Sequence, residues 1–473
     1  MKTDLTVIVL AAGLGTRMKS RTAKVLHRAG GMTLVEHVVD NALALADPDR
    51  VVVVVGHQAD QVSAQVAGRG VRFARQTEQL GTGHALMVCR DAAASDHGRV
   101  ILLYGDCPLL SAATLERLLS HHEKAGAAAT VITMELNDPT GYGRALVDGN
   151  GYVTAIVEQK VATPEQLAVR QVNSGIYCFE AALLWEHLGE IEQNPISREY
   201  YLTDMVEILH RAGHKVSALL HDNPAELLGI NTRVDLAAVD AIFRERKVRE
   251  LMLSGVTIER PETVTIDLGV KAGMDSVIEP FARLLGNTSL GENCRVGAGS
   301  ILLDCRIADG VAIAPHSMLE SSEVETGTTI GPFARLRPGN HVGANAHIGN
   351  FVELKKTRMG NGVKASHLSY LGDSIIGEDT NIGAGTITCN FDGAVKHQTQ
   401  IGKQAFVGSN STLVAPVEIG DGAYVAAGSV ITHQVPPDAL GIGRSHQVNK
   451  EGWAKRRREN QGRQVSTVPP TPK

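Results

Sequence analysis

Aromatic side chains are scarce in this chain: Phe, Trp and Tyr make up 4% of its 473 residues. Burial must therefore come mainly from aliphatic side chains. Cysteine is thin as well. Cys89, Cys107, Cys178, Cys294, Cys305 and Cys389 are scattered and contain no CxxC pair. That argues against a disulfide framework or a zinc site and favours buried, reduced thiols. No apolar stretch is long enough to cross a bilayer. A net charge of −5 speaks against a general nucleic-acid or membrane surface. The apolar run at 7–12 follows Asp4 and leads straight into a glycine loop with Arg17, a poor signal peptide. The cytoplasm is the expected compartment.

Glycine is plentiful, with 49 residues, and the chain is too long for one ordinary domain. Its pattern changes near residue 255. Before that point, continuous apolar runs at 6–10, 51–55 and 100–104 alternate with segments of helical spacing such as 34–45 and 115–122. Such runs suit strands buried on both faces of a parallel sheet. The layout is that of a doubly wound, Rossmann-like α/β domain over 1–232, whose ligands sit at the carboxyl ends of the strands. Residues 233–254 read as a linking helix. Leu236, Val239 and Phe243 share one face, and Asp240–Arg244 and Glu245–Arg249 are spaced for i,i+4 pairing. The same helix can equally end the first domain.

Over 255–450 aliphatic residues recur every six positions: Ile278, Leu284, Leu290, Val296, Leu302. The register slips by one, then resumes at Ile307, Ile313, Leu319 and again at Val324, Ile330, Leu336, Val342, Ile348, Leu354. After an irregular stretch it returns at Ile376, Ile382, and at Ile401 through Val407, Leu413, Ile419, Val425 and Ile431. Neither a helix nor simple strand alternation has this period. A hexapeptide solenoid does, each six residues forming one side of a triangular coil. The interruption at 392–400 reads either as a surface loop or as a pocket wall. A tail over 451–473 carries Lys455, Arg456, Arg457 and Arg458 and ends in a Pro-rich segment expected to be partly disordered.

Two groups of residues carry chemistry. Leu10, Ala11, Ala12, Gly13, Gly15 and Arg17 follow the first apolar run. There glycine lets backbone N–H groups approach a phosphate and Arg17 adds charge. The third glycine of a dinucleotide fingerprint is replaced by Met18, and the Gly-Lys-Ser/Thr of a P-loop is absent. Lys24 follows, either on the same phosphates or simply on the surface. Tyr104-Gly105-Asp106 ends a strand, so Asp106 either holds Mg²⁺ or caps a helix. The loop with Gln76, Gly81 and Thr82 suits base recognition, or is only a turn. In the solenoid, Arg337 and Lys355 are one coil of 18 residues apart, which stacks two cations in one column. They suit a phosphate, or are merely solvated.

Together, 10–18, Lys24, Gln76 with Leu80-Gly81-Thr82, and Gly105-Asp106 resemble the sugar-1-phosphate nucleotidyltransferases. The order continues with Gly141-Tyr142-Gly143-Arg144, Val157-Glu158, Asn173-Ser174-Gly175 and Gly229-Ile230-Asn231. With the hexapeptide half, the whole chain resembles the bifunctional N-acetylglucosamine-1-phosphate uridyltransferase/glucosamine-1-phosphate acetyltransferase family. The resemblance implies a left-handed parallel β-helix, a homotrimer, and a role supplying peptidoglycan and lipopolysaccharide precursors. It implies that Gln76, Gly81 and Thr82 read the uracil of UTP. Gly143, Glu158 and Asn173 hold the sugar and ribose, and Asp106 and Asn231 ligate Mg²⁺. In the second half it implies His367 as general base, Arg337 and Lys355 on the sugar phosphate, and Tyr370 and Asn381 on the sugar. Ala384, Asn390, Phe391, Ser409, Ala427 and Arg444 match the acetyl-CoA positions. Phe391 departs from the family's tyrosine, which puts any phenol contact there in doubt. The basic tail is implied to cover a neighbouring subunit's coenzyme A pocket. Two other readings remain: a single-activity pyrophosphorylase whose solenoid only assembles, and a non-catalytic sensor scaffold.

Overall fold

The computed structural model describes residues 4–93 and 97–465, so the end of the tail, from 466, lies outside the described residues. The chain divides into two compact units. One runs to Leu253 and takes back the short segment Thr265–Val270; the other comprises Ser254–Val264 and the described residues from Lys271 on.

The first unit is built on a twisted sheet. Seven of its nine strands are β1 (Leu5–Ala11), β2 (Val51–Val55), β3 (Arg72–Arg75), β4 (Arg99–Tyr104), β5 (Ala129–Glu135), β6 (Gln171–Glu180) and β7 (Val216–Leu220), and the short strands Arg144–Val147 and Val153–Val157 pair at the side of β6. Their order across the sheet is β7-β5-β6-β4-β1-β2-β3, with β6 antiparallel to both its neighbours and the others parallel. Every residue of β1 and β2 is buried, as continuous apolar runs require when helices cover both faces. The strand order reverses beside β1, because β2 and β4 lie on opposite sides of it. A crevice opens there at the carboxyl ends.

Helix α1 (Leu34–Leu45) starts with a reciprocal cap: Thr33 accepts from the Glu36 N–H while Glu36 accepts from the Thr33 N–H. Helix α2 (Arg233–Leu253) packs on this unit. Val239 and Phe243 are buried with Met18, Ala29 and Leu34, and Phe243 stacks on His37 at 4.2 Å between centroids. The Asp240–Arg244 pair forms at 2.8 Å.

The second unit is a parallel β-helix whose short strands stack coil upon coil into three sheets. All the aliphatic positions picked out by the six-residue period, from Ile278 to Ile431, point inward and are buried. Full burial of each such side chain contributes about 1.5–3 kcal/mol. Inner corners are filled by small hydroxyl residues that satisfy carbonyls, as Thr357 does by donating to the Leu371 carbonyl at 2.7 Å. Outer corners turn through left-handed backbone, and not only at glycine: His316, Phe333, Phe351 and Leu368 all have φ between 46° and 61°. At one corner His316, Phe333 and Phe351 stack at 5.4 and 5.5 Å, with Leu368 next in the column. Phe333, Phe351 and Leu368 remain exposed.

The irregular stretch is shorter than the sequence suggests. Thr399 and Gln400 already pair with Ser374 and Ile375, because the strand resumes before the aliphatic period does. Residues Trp453–Val465 form a helix, in which Arg457 lies over the Trp453 ring.

Candidate active sites

At the crevice of the first unit, β1 leads into Ala12-Gly13, where Gly13 is exposed and a side chain would meet nothing within 4 Å. That leaves its backbone open to a ligand. Leu10 is in register with Tyr104, and its carbonyl accepts from the Gly105 N–H at 2.9 Å. This pairing brings Asp106 opposite the loop. Lys24 then reaches across: its ammonium contacts Asp106 Oδ2 and donates to Asn231 Oδ1 at 3.3 Å. Arg17 donates to the same Asn231 oxygen at 2.8 Å. Residues from three distant parts of the chain thus meet at one point. Asn231 is itself held at the start of α2, where Asp235 accepts from the N–H groups of Asn231 and Thr232. Burial opposes the Asp235 charge, but those N–H donors hold its carboxyl below the usual range.

The loop carrying Gln76, Gly81 and Thr82 is clamped by a residue the sequence does not point to. The Tyr200 N–H donates to the Leu80 carbonyl, and its own carbonyl accepts from Gly83. Thr82 Oγ1 accepts from the Leu202 N–H at 3.1 Å. Gln76 is buried and donates to the Gly81 carbonyl, with His84 Nδ1 at 3.1 Å as a second neighbour. Burial pushes the Tyr104 phenol far up, against an opposing hydrogen bond with Thr82. Gly143 faces Glu158, and its carbonyl accepts from the Asn173 N–H at 2.9 Å. Asn173 Oδ1 accepts from Gly175 N–H, and Gly175 lies so close to the Tyr104 ring that a Cβ would fall 2.7 Å from it. Gly175 thus brings the segment with Asn173 against Tyr104, two residues before Asp106.

On the β-helix, Arg337 and Lys355 do occupy adjacent coils of one column, since Leu336 pairs with Leu354. Each is matched by a carboxylate. Arg337 donates to Glu353 at 3.2 Å, and the buried Lys355 binds Asp373 at 2.8 Å. Burial alone would lower the Lys355 ammonium, but Asp373 holds it above the ordinary lysine range. Asn390 Nδ2 contacts Asp373 Oδ2 and lies 3.5 Å from the Tyr370 hydroxyl, which ties these side chains into one chain. His367 is exposed, and its Nδ1 lies 2.7 Å from Asn350 Oδ1. An amide oxygen only accepts, so Nδ1 carries the proton and Nε2 is the basic nitrogen.

Asn381 pairs with Lys364 on the strand that bears His367. Ala384, Ser409 and Ala427 lie at equivalent corners of three successive coils, given the pairing of Ile382 with Val407 and of Val407 with Val425. Arg444 does not join that column. It is exposed and follows Gly443, whose carbonyl accepts from Val430. Phe391 is exposed on a short hairpin where it bridges to Lys396. Asn350, Glu353 and Asp373 were missed in the sequence: their partners lie 17, 16 and 18 residues away, so no single coil spacing picks out all three.

Among the described residues there is no group of three or more His, Cys, Asp or Glu side chains fit to cage a metal, and no helix is long and apolar enough to cross a membrane. A MobA-like NTP transferase domain model matches residues 7–158. A bacterial transferase hexapeptide model matches 398–433, and a hexapeptide repeat of succinyl-transferase matches 287–313. The chain is 60% identical over 459 residues to the bifunctional protein GlmU of Solibacter usitatus, covering 97% of this chain and 98% of that one. Identity is 48% to that of Koribacter versatilis, over 96% and 97%, and 50% to that of an Anaeromyxobacter species, over 99% and 96%. An NTP-transferase crevice and a histidine-bearing hexapeptide β-helix, joined at this level of full-length identity, place the chain in the GlmU family, bifunctional enzymes of UDP-N-acetylglucosamine synthesis that combine acetyltransferase and uridylyltransferase activities.

Proposed function

We propose that the β-helix acetylates glucosamine-1-phosphate from acetyl-CoA and that the first unit then joins the product to UTP. The observation that carries the second step is the cation seated between Asp106 and Asn231. The Lys24 ammonium contacts Asp106 Oδ2 and lies 3.3 Å from Asn231 Oδ1, so one carboxylate and one amide oxygen, both donors that suit Mg²⁺, stand within reach of one cation. Mg²⁺ bound by Asp106 and Asn231 would supply charge neutralisation for the triphosphate. The sugar phosphate oxygen attacks the α-phosphorus, a new P–O bond forms, and the bond to pyrophosphate breaks. No general base is needed, because the nucleophile is already an anion. Arg17, Lys24 and the Gly13 backbone position the phosphates, Gln76, Gly81 and Thr82 the uracil, and Gly143, Glu158 and Asn173 the sugar and ribose.

On the β-helix, Arg337 and Lys355 hold the sugar phosphate, and Tyr370 and Asn381 the sugar. His367 Nε2 takes the proton of the amine as its nitrogen attacks the thioester carbonyl. The C–S bond then breaks and coenzyme A leaves. The Ala384 N–H stabilises the oxyanion, and Asn390, Phe391, Ser409, Ala427 and Arg444 accommodate acetyl-CoA. The assembly is a homotrimer. Its support is the exposed apolar column of Phe333, Phe351 and Leu368, which flanks His367 and Asn350 and calls for a covering subunit.

The deciding experiment follows free thiol and pyrophosphate separately. Asp106→Ala should abolish pyrophosphate release from N-acetylglucosamine-1-phosphate and spare thiol release; His367→Ala should do the reverse. Loss of both activities in either folded variant overturns the two-site reading.

A further inference from the structure

The strap at 222–231, which leaves the sheet after β7 and ends on Asn231, carries a carboxylate with no role in the reaction as derived. Two contacts fasten this strap along the segment that follows Asp106. The Ile230 N–H donates to the Asp106 carbonyl at 2.9 Å. Earlier in the strap, Glu226 Oε2 accepts from the Thr114 hydroxyl at 2.7 Å and lies 3.1 Å from the Ser111 hydroxyl. Ser111 caps the helix Ala112–Ala125 by accepting from the Thr114 N–H at 3.2 Å, so the carboxylate also stands at a helix N-terminus, where its charge is favoured. His221 Nε2 lies 3.6 Å from the same oxygen. Burial opposes the Glu226 charge, but the Thr114 and Ser111 hydroxyls hold its carboxyl below the usual range. Between the two fastenings Leu227 is buried in the core with Leu110 and Leu115, and a Cβ at Gly229 would fall 3.6 Å from Cys107 Sγ. The strap and the segment 106–114 thus lie against each other and are tied at both ends. They bear the two groups that Lys24 contacts, Asp106 and Asn231.

We infer that Glu226 is a positioning residue for uridylyl transfer: its grip on Thr114 and Ser111 sets Asn231 against Asp106 and so sets their joint affinity for Mg²⁺. The inference rests on the reading of Asp106 and Asn231 as the metal's ligands. Glu226 touches no reacting atom; it acts through Asn231. Asp235 fixes Asn231 from the side of α2, whereas Glu226 fixes the strap on which Asn231 arrives.

The test uses the full-length protein and two readouts. One is pyrophosphate release as a function of Mg²⁺; the other is Mn²⁺ binding with UDP-N-acetylglucosamine present, read from the EPR signal of free Mn²⁺ against a protein-free blank. Glu226→Ala should raise the Mg²⁺ half-saturation and the Mn²⁺ dissociation constant each about tenfold, the scale of losing an outer-shell partner of a ligand. At saturating Mg²⁺ its kcat should return to within about threefold of wild type. Glu226→Gln keeps an oxygen acceptor for both hydroxyls and should recover most of the loss. Thr114→Val, which keeps the buried volume, should shift both constants in the same direction by less. Added to Asn231→Ala, Glu226→Ala should change neither constant by more than about twofold. Unchanged constants in Glu226→Ala, a loss that saturating Mg²⁺ does not recover, or penalties that multiply in the Asn231→Ala background would each overturn the proposal. Should Glu226→Ala fail to fold, unchanged constants in Thr114→Val would do so. An Asn231→Ala variant that binds Mn²⁺ as wild type does would instead overturn the reading beneath it.

Discussion

Asn350→Ala tests how the β-helix makes its base. Asn350 and His367 are partners across adjacent coils, and the 2.7 Å contact fixes which imidazole nitrogen bears the proton. Removing the amide deletes one hydrogen bond, with a net value of about 0.5–1.5 kcal/mol. If all of it is expressed in the transition state, kcat falls about two- to thirteenfold, at 1.36 kcal/mol per decade. His367 is exposed, so water can take the vacated position and the lower half of that range is expected. His367→Ala, by contrast, removes the base and should cost about 10²–10⁴-fold. The assay is thiol release at saturating substrates from pH 6 to 9. In Asn350→Asp, the new carboxylate stabilises imidazolium, so the acid limb of the kcat profile should move to higher pH. A loss in Asn350→Ala as large as in His367→Ala would refute a purely orienting role. An unchanged rate together with an unmoved profile in Asn350→Asp would refute the contact altogether.

Gly81→Ala should raise KM for UTP and spare acetyl transfer, because Gly81 sits at φ 100° and an added Cβ falls 2.6 Å from the Tyr200 carbonyl oxygen; unchanged uridylyl kinetics would contradict this. Thr33→Ala removes one half of the α1 cap and should destabilise the first unit by about 1 kcal/mol in calorimetry. The Asp373 carboxyl is opposed by burial but held below its usual 3.8 by Lys355, so the pair's stabilisation is present above that value and lost as pH falls through the lower folded pKa. The gap in denaturation midpoint between wild type and Asp373→Asn should therefore be constant near neutrality and shrink below about pH 4. Burial pushes the Cys89 thiol up to about 12 and Cys305 to about 11, so a disulfide reagent at pH 8 should label the half-buried Cys389 first and those two only on unfolding.

The β-helix interior was readable because its rule is local: one inward aliphatic residue per side, repeated until the register slips. Those slips are what concealed the polar pairs. Lys355 finds Asp373 after 18 residues, but His367 finds Asn350 after 17, and a fixed period predicts only one of these. In the first unit the glycine loop and Asp106 stand at strand ends, where sequence and topology agree. The clamp by Tyr200 was not visible, since it lies more than a hundred residues from Thr82 and works through main-chain N–H and C=O groups that any residue but proline has. Helix α2 read either as a link or as the end of the first domain, and Val239 and Phe243, buried with Met18 and Leu34, favour the second; amphipathicity shows that a face is buried, not against what. Roles such as uracil or coenzyme A recognition came from family resemblance, because no spacing rule distinguishes them.

The coiled stacking has a further consequence for how such a site changes over evolutionary time. Functional groups on neighbouring coils are separated by the spacing of adjacent strands, about 4.8 Å, and can be relocated only by whole coils. Arg337 and Lys355 thus stand on a ladder with fixed rungs, with Asp373 one residue beyond the rung that pairs with Lys355. A substrate shorter or longer by a fraction of that step cannot be met by sliding the ladder. It is met more readily at the hairpin at 391–398, which leaves the coil and whose length can vary while the coils above and below keep their register.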